Sequence, residues 1–103
     1  MAAIYQLQFD DDALSEWAKL DGSIKTTLKK LLLKRLEQPH VPGDALHREL
    51  KGYYKIKLRK QGYRLIYAVN DGDLVVLVVA VGKRENDEVY LEAVKRAKSR
   101  SYP

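Results

Sequence analysis

From Tyr54 to Arg59 apolar and basic residues alternate strictly, with Tyr54, Ile56 and Leu58 set against Lys55, Lys57 and Arg59. A period of two is that of a β-strand with two different faces, so the three cations share one side. Gln61-Gly62 offers a turn and Tyr63–Tyr67 a return strand. An even-numbered loop keeps Ile56, Leu58, Leu65 and Tyr67 together and adds Arg64 to the cations. An odd one would set Arg64 among apolar side chains, which is costly. The even case is therefore expected, with Lys57 opposite Ile66, Leu58 opposite Leu65 and Arg59 opposite Arg64.

The rest of the pattern supplies a frame for that hairpin. Ile4–Phe9 reads as a short strand, and Asp10, Asp11 and Asp12 suit the start of a helix. Ala13, Leu14, Trp17, Ala18 and Leu20 mark this first helix, with Trp17 a core anchor. Asp21-Gly22-Ser23 breaks it and caps a second, longer helix carrying Ile24, Leu28, Leu31, Leu32 and Leu36 on one stripe. The two make an αα-hairpin. Pro39 and Pro42 end the second helix. Residues 38–50 are expected to be a loop with one helical turn at Asp44–Leu50, Leu46 and Leu50 tucking into the core. Asn70-Asp71-Gly72-Asp73 is the strongest turn signal. The unbroken apolar run Leu74–Val81 after it predicts a central strand covered on both faces. A last helix carries Val89, Tyr90, Ala93, Val94 and Ala97, capped by Asn86 or Asp87. The basic end from Lys95 to Arg100 is expected to fray.

The expected architecture is α+β in the order β-α-α-β-β-β-α, with residues 1–103 forming one domain. Strands 2, 3 and 4 form an antiparallel meander, and strand 1 adds beside strand 4. The αα-hairpin covers one face, and the basic face is left on the other with the last helix partly beside it. Counting through Asn70–Asp73 puts Val79, Val81 and Lys83 on the face of Arg64, and Arg84 on the opposite one. A bulge at Gly82 would turn Arg84 back.

Charge changes the picture. The 103 residues carry 19 Lys and Arg against 14 Asp and Glu, a formal net charge of +5, so an acidic partner is implied. The basic hairpin face is either a solvated surface that discourages edge pairing or a seat for a polyanion that would relieve repulsion between its cations. Lys25, Lys29, Lys30, Lys34 and Arg35 lie mostly off the second helix's apolar stripe, as a solvated face or as an element that steers RNA. There is no cysteine, which excludes disulfides, a thiol nucleophile and a cysteine metal site. His40 and His47 have no ligand-spaced neighbours and read as loop residues. The start lacks a signal-peptide pattern and no apolar run could span a bilayer, so a cytoplasmic protein without membrane contact is expected.

No nucleophile elbow, phosphate-binding glycine loop, metal motif or dinucleotide fingerprint is present. What remains is Lys55, Lys57, Arg59 and Arg64, with Arg84 and Tyr90 nearby. Such a set can bind a phosphodiester and stabilise the extra negative charge of a pentacovalent transition state. Packed lysines lower one another's pKa, and a lysine so perturbed can move protons near neutral pH. The chemistry allowed is attack by an RNA 2′-OH on its own phosphate, with neither metal nor cofactor. DNA would be bound but not cut.

Tyr54-Lys-Ile-Lys-Leu-Arg59, Gly62-Tyr-Arg-Leu-Ile-Tyr67, Val81-Gly-Lys-Arg-Glu85, Glu88-Val-Tyr90 and Glu92-Ala-Val-Lys-Arg96 carry a resemblance, joined by Phe9-Asp10, Ala13-Leu14 and Glu16-Trp17. From Ile4 to Arg96 the chain resembles the RelE family of toxins of bacterial type II toxin–antitoxin systems. The resemblance implies a RelE/ParE-like fold and an endonuclease that cuts mRNA in the ribosomal A site and depends on the ribosome. It implies proton transfer and phosphate contact for Lys55 and Lys57. Arg64 and Arg84 would hold and stabilise the scissile phosphate, and Tyr90 would orient or stack on the substrate. Arg59 and Lys83 are further candidates for RNA contact. The implied partners are the ribosome with its rRNA and mRNA, and a RelB-like antitoxin in a hetero-oligomer. The antitoxin would wrap the toxin and cover or distort the basic site, with displacement of the last helix a further possibility. Ribosome-independent relatives use a Glu with a C-terminal His, and no His follows His47. The competing readings are a non-enzymatic ParE-type toxin that inhibits DNA gyrase, and an RNA- or antitoxin-binding module without catalysis.

Overall fold

Asp10 ends one element and starts the next in the computed structural model of this chain, which describes residues 4–83, 85 and 87–102. β1 (Gln6–Phe9) stops there, and the Asp10 carboxylate accepts from the amides of Asp12 and Ala13 at 3.0 and 3.1 Å, capping α1 (Asp11–Ala18). α2 (Gly22–Glu37) buries Ile24, Leu28, Leu32 and Leu36, an i, i+4 stripe. Beyond Pro39, residues Pro42–Asp44 and Arg48–Leu50 make two short 3₁₀ turns in place of the single expected one. β2 (Tyr53–Leu58), β3 (Tyr63–Asn70), β4 (Val75–Lys83) and α3 (Glu88–Ser99) complete the α+β order read from the sequence.

The sheet order is β1-β4-β3-β2. β2, β3 and β4 form the antiparallel meander, and β1 joins β4 in parallel, which makes the sheet mixed. Ile56, Leu58, Leu65, Tyr67, Val76, Val78 and Val81 meet α1 and α2 on one face. Trp17 packs against that core only partly buried, its ring 5.4 Å from Phe9. Tyr53, Ile66, Ala68, Val79 and Ala80 meet Val89 and Ala93 of α3 on the other face. β4 is thus covered from both sides, as its continuous apolar run requires.

The structure corrects the sequence reading in three places. The β2–β3 loop is even-numbered but longer: Arg59–Gly62 form the turn, closed by a 2.8 Å bond from the Gly62 amide to the Leu58 carbonyl, with Gly62 at φ 73°. The register shifts by two residues, so that Lys57 lies opposite Arg64 and Leu58 opposite Tyr63. The bulge lies at Val79, where the register slips between Ile66 and Tyr67, and not at Gly82. Gly82 then pairs with Arg64 and Lys83 with Tyr63, so Val81 and Lys83 leave the Arg64 face to which simple counting assigned them. Lastly, Lys95–Ser99 belong to α3, where a frayed end is expected from the sequence. α3 closes on Ser101 at φ 52° and a 3.1 Å bond from the Tyr102 amide to the Ala97 carbonyl, a Schellman closure with Ala97 and Tyr102 packed on one cluster.

Side chains from distant elements complete the bulge. Arg96 of α3 is 7 % exposed and forms a bidentate pair with Glu16 of α1, both contacts 2.9 Å. Arg96 also donates to the Val79 carbonyl at 2.8 Å, and the Val81 amide donates to Glu16 at 3.3 Å. β1 pairs with β4 only as far as Val78, so this ion pair stands where a strand neighbour would otherwise bond. No helix of the described residues is long and apolar enough to cross a membrane.

Candidate active site

The corrected register concentrates the charge. Lys57 on β2 faces Arg64 on β3, and Lys55 lies two residues back on the same side, opposite Ile66. Two cations directly across a ladder repel one another. α3 packs on this face and brings Tyr90 over Arg64, the guanidinium carbon 5.0 Å from the ring centroid. Arg64 is largely enclosed, its side chain 12 % exposed, and meets the exposed carboxylate of Asp87 at 3.7 Å. Its Nε is buried without a hydrogen-bond partner among the described residues. The Lys57 ammonium is held below the ordinary lysine range, first by the charge of Lys55, then by partial desolvation and by Arg64 and Arg59.

Lys55, Lys57, Arg64 and Tyr90 therefore come together. Arg59 does not face Arg64 across the ladder; it sits exposed in the turn, near enough to lower the Lys57 pKa. Lys83 is exposed at the strand end on the opposite face of the sheet. Arg84 and Asn86 lie outside the described residues. Among those described, no group of three or more His, Asp or Glu side chains could hold a metal ion. The arrangement can bind a phosphodiester, offset negative charge that grows on it, and supply one amine whose neutral form is unusually accessible.

Sequence reading missed Asp87 as the counter-ion of Arg64. Its place before Glu88 signals only a helix cap, yet it sits at φ 57° and makes no side-chain cap bond. Arg35, one of the α2 charges whose place in the sequence fits a solvated or an RNA-steering face, instead bonds Asp44 at 2.6 Å, the Tyr67 hydroxyl at 2.9 Å and the Lys55 carbonyl at 3.2 Å, and so supports β2 from behind. His40 is a loop residue, as read from the sequence, and ties that loop to its neighbours. Its ring nitrogens pair with the Tyr54 hydroxyl and the Asp71 carboxylate, each at 2.8 Å.

The sequence matches, over residues 7–88, the family described as ParE toxin of type II toxin-antitoxin system, parDE. It is 52 % identical over 92 residues to the mRNA interferase toxin RelE of Escherichia coli strain K12, an alignment that covers 89 % of this chain and 96 % of that protein. The chain belongs to the RelE/ParE family of toxins. Among solved structures, an arginine-to-alanine double variant of E. coli RelE in the free state superposes with a TM-score of 0.82 at 49 % identity, covering 90 % of this chain and 97 % of that one. The same variant in complex with a peptide of its antitoxin RelB gives a TM-score of 0.75 at 51 % identity, covering 93 % of this chain and 98 % of that one. The family match runs from the second residue of β1 to the first of α3, and the alignments to E. coli RelE cover about nine-tenths of the chain.

Proposed function

We infer that this chain is the toxin of a type II toxin–antitoxin pair and acts as an mRNA interferase, an endoribonuclease that halts translation by cutting message. The observation that carries this is the facing pair Lys57 and Arg64, with Lys55 beside them and Tyr90 closing over Arg64. The 2′-oxygen attacks the adjacent phosphorus while its proton passes to the neutral amine of Lys57. The bond to the 5′-oxygen breaks, and that oxygen takes a proton from water and leaves as a hydroxyl, the hydroxide left behind taking back the proton held by Lys57. The products are a 2′,3′-cyclic phosphate and a 5′-OH end. Arg64 and Arg84 offset the charge of the pentacovalent state, Tyr90 orients the nucleotide, and Arg59 holds the flanking backbone. Lys83 is the weakest member of the set, since its register sends it to the other face.

The ribosome supplies the substrate geometry by presenting message in its A site, which places the toxin in the cytoplasm. A RelB-like antitoxin holds it inactive by covering the cationic face. Purified toxin is to be incubated with programmed ribosomes and the mRNA ends mapped. Cleavage within the A-site codon, lost in Arg84→Ala while fold and antitoxin binding persist, is the expected result. Cutting by Arg84→Ala at the wild-type rate would remove Arg84 from the site. Intact message together with inhibited gyrase would instead favour the non-enzymatic ParE reading that the family description also covers.

A further inference from the structure

The end of the chain is fastened to the start of α1. One oxygen of the Asp10 carboxylate accepts the two amides that begin α1, and the other accepts from the Arg100 guanidinium and the Tyr102 hydroxyl. Arg100 reaches Asp12 as well. Asp10 is 2 % exposed, so the clasp closes on a buried carboxylate, and the Schellman turn at Ser101 is what delivers Tyr102 to it. The two ends of α3 are held differently. Its C-terminal half has Arg96 on Glu16 and the clasp on Asp10. Its N-terminal end lacks a side-chain cap and carries Tyr90 against Arg64.

We propose that Arg100 and Tyr102 are positioning residues for RNA cleavage: their clasp on Asp10 fixes the angle of α3 on the sheet and so keeps Tyr90 seated over Arg64. This rests on the catalytic reading given above. A helix of 12 residues is about 18 Å long, so a tilt of about 10° at the fastened end moves the other end by about 3 Å. Displacements of about 1 Å at a reacting centre can cost about a hundredfold in rate. Neither residue touches Arg64, Lys55 or Lys57 in the contacts described, so the effect passes through the helix.

The test uses the full chain and ribosomes programmed with a defined message. Single-turnover cleavage is measured for wild type, Arg100→Ala/Tyr102→Phe, Tyr90→Ala, and all three changes together, with amide exchange followed over residues 88–92. The expected result is a loss of about tenfold for the clasp variant in the wild-type background and less than about twofold in the Tyr90→Ala background, because coupled residues are not additive. Amide exchange at the start of α3 should speed up in the clasp variant. Equal losses in both backgrounds, or no loss in either, overturns the inference alone. A Tyr90→Ala protein that cuts at full rate overturns the catalytic reading of Tyr90 and the inference with it. If the double change unfolds the protein, Tyr102→Phe, which removes a single hydroxyl, decides by the same comparison.

Discussion

Lys57 owes its lowered pKa to named neighbours, and that makes its role measurable. The charge of Lys55 is the largest cause, so removing it must raise the Lys57 pKa. If neutral Lys57 accepts the 2′-OH proton, cleavage rises with pH through that pKa, and Lys55→Gln shifts the rising limb of the pH–rate profile to higher pH. A limb that stays in place, whatever the overall rate, would remove Lys57 as the base. Asp87 acts in the other direction. It is an exposed carboxylate within 3.7 Å of the arginine proposed to hold phosphate, and in that reading it competes with substrate. Exposed pairs of this kind are worth about 0.2–1 kcal/mol, so Asp87→Asn should tighten binding of a short RNA by no more than about fivefold. Filter binding at fixed salt reads the change, and unchanged or weaker binding would mean that Asp87 does not screen Arg64. Neither relation could be seen in the sequence alone. The alternation of residues 54–59 assigns Lys55 and Lys57 to one face but leaves open which residue stands across from them.

That partner is settled at the scale of the element, where local pattern runs out. The faces of β2 and β3 were legible because alternation over six residues survives any even loop. The register was not, because it depends on how many residues the turn consumes, and Gly62 in the left-handed region closes a four-residue turn where two were expected. The bulge was less legible still. Gly82 is the residue whose flexibility invites one, yet the slip falls at Val79, whose carbonyl finds a donor in Arg96. That donor and its partner Glu16 are 80 residues apart in sequence, and neither is distinguished from other charges of its helix. Arg96 is enclosed and Glu16 only partly so, and breaking the pair leaves Arg96 with Glu92 at 3.3 Å as its remaining counter-charge. Glu16→Ala should lower unfolding stability by about 1–3 kcal/mol. Adding Arg96→Leu should restore part of it, since the second change removes the poorly compensated charge. Urea denaturation reads both values. A loss below about 1 kcal/mol for Glu16→Ala would mean that the contact is an ordinary surface ion pair.

At the scale of the molecule the same sheet serves two purposes on its two faces. The face under α1 and α2 holds the larger apolar core, and the face under α3 pairs a smaller apolar cluster with Lys55, Lys57 and Arg64, of which Arg64 meets Asp87 at 3.7 Å. Repulsion on that second face has to be offset by packing, and α3 supplies the packing only while its fastenings hold. Asp10 is the point where β1, α1 and the chain end meet. Burial by itself would raise its pKa, but the Tyr102 hydroxyl, the Arg100 guanidinium and the Ala13 amide outweigh that and hold it below the ordinary 3.8. The sign follows from linkage. A carboxylate with a depressed folded pKa contributes stability that is fully present above its unfolded value and is lost as pH falls through the folded one. Asp71, depressed by the Tyr5 hydroxyl and His40, acts in the same window. The thermal midpoint of the wild type should therefore hold steady from neutrality to about pH 5 and fall steeply below about pH 4. Asp10→Asn should start lower and fall less across that interval, because the group whose protonation weakens the clasp is gone. Parallel acid profiles for the two proteins would show that the clasp, although formed, contributes nothing to holding the ends of the chain together.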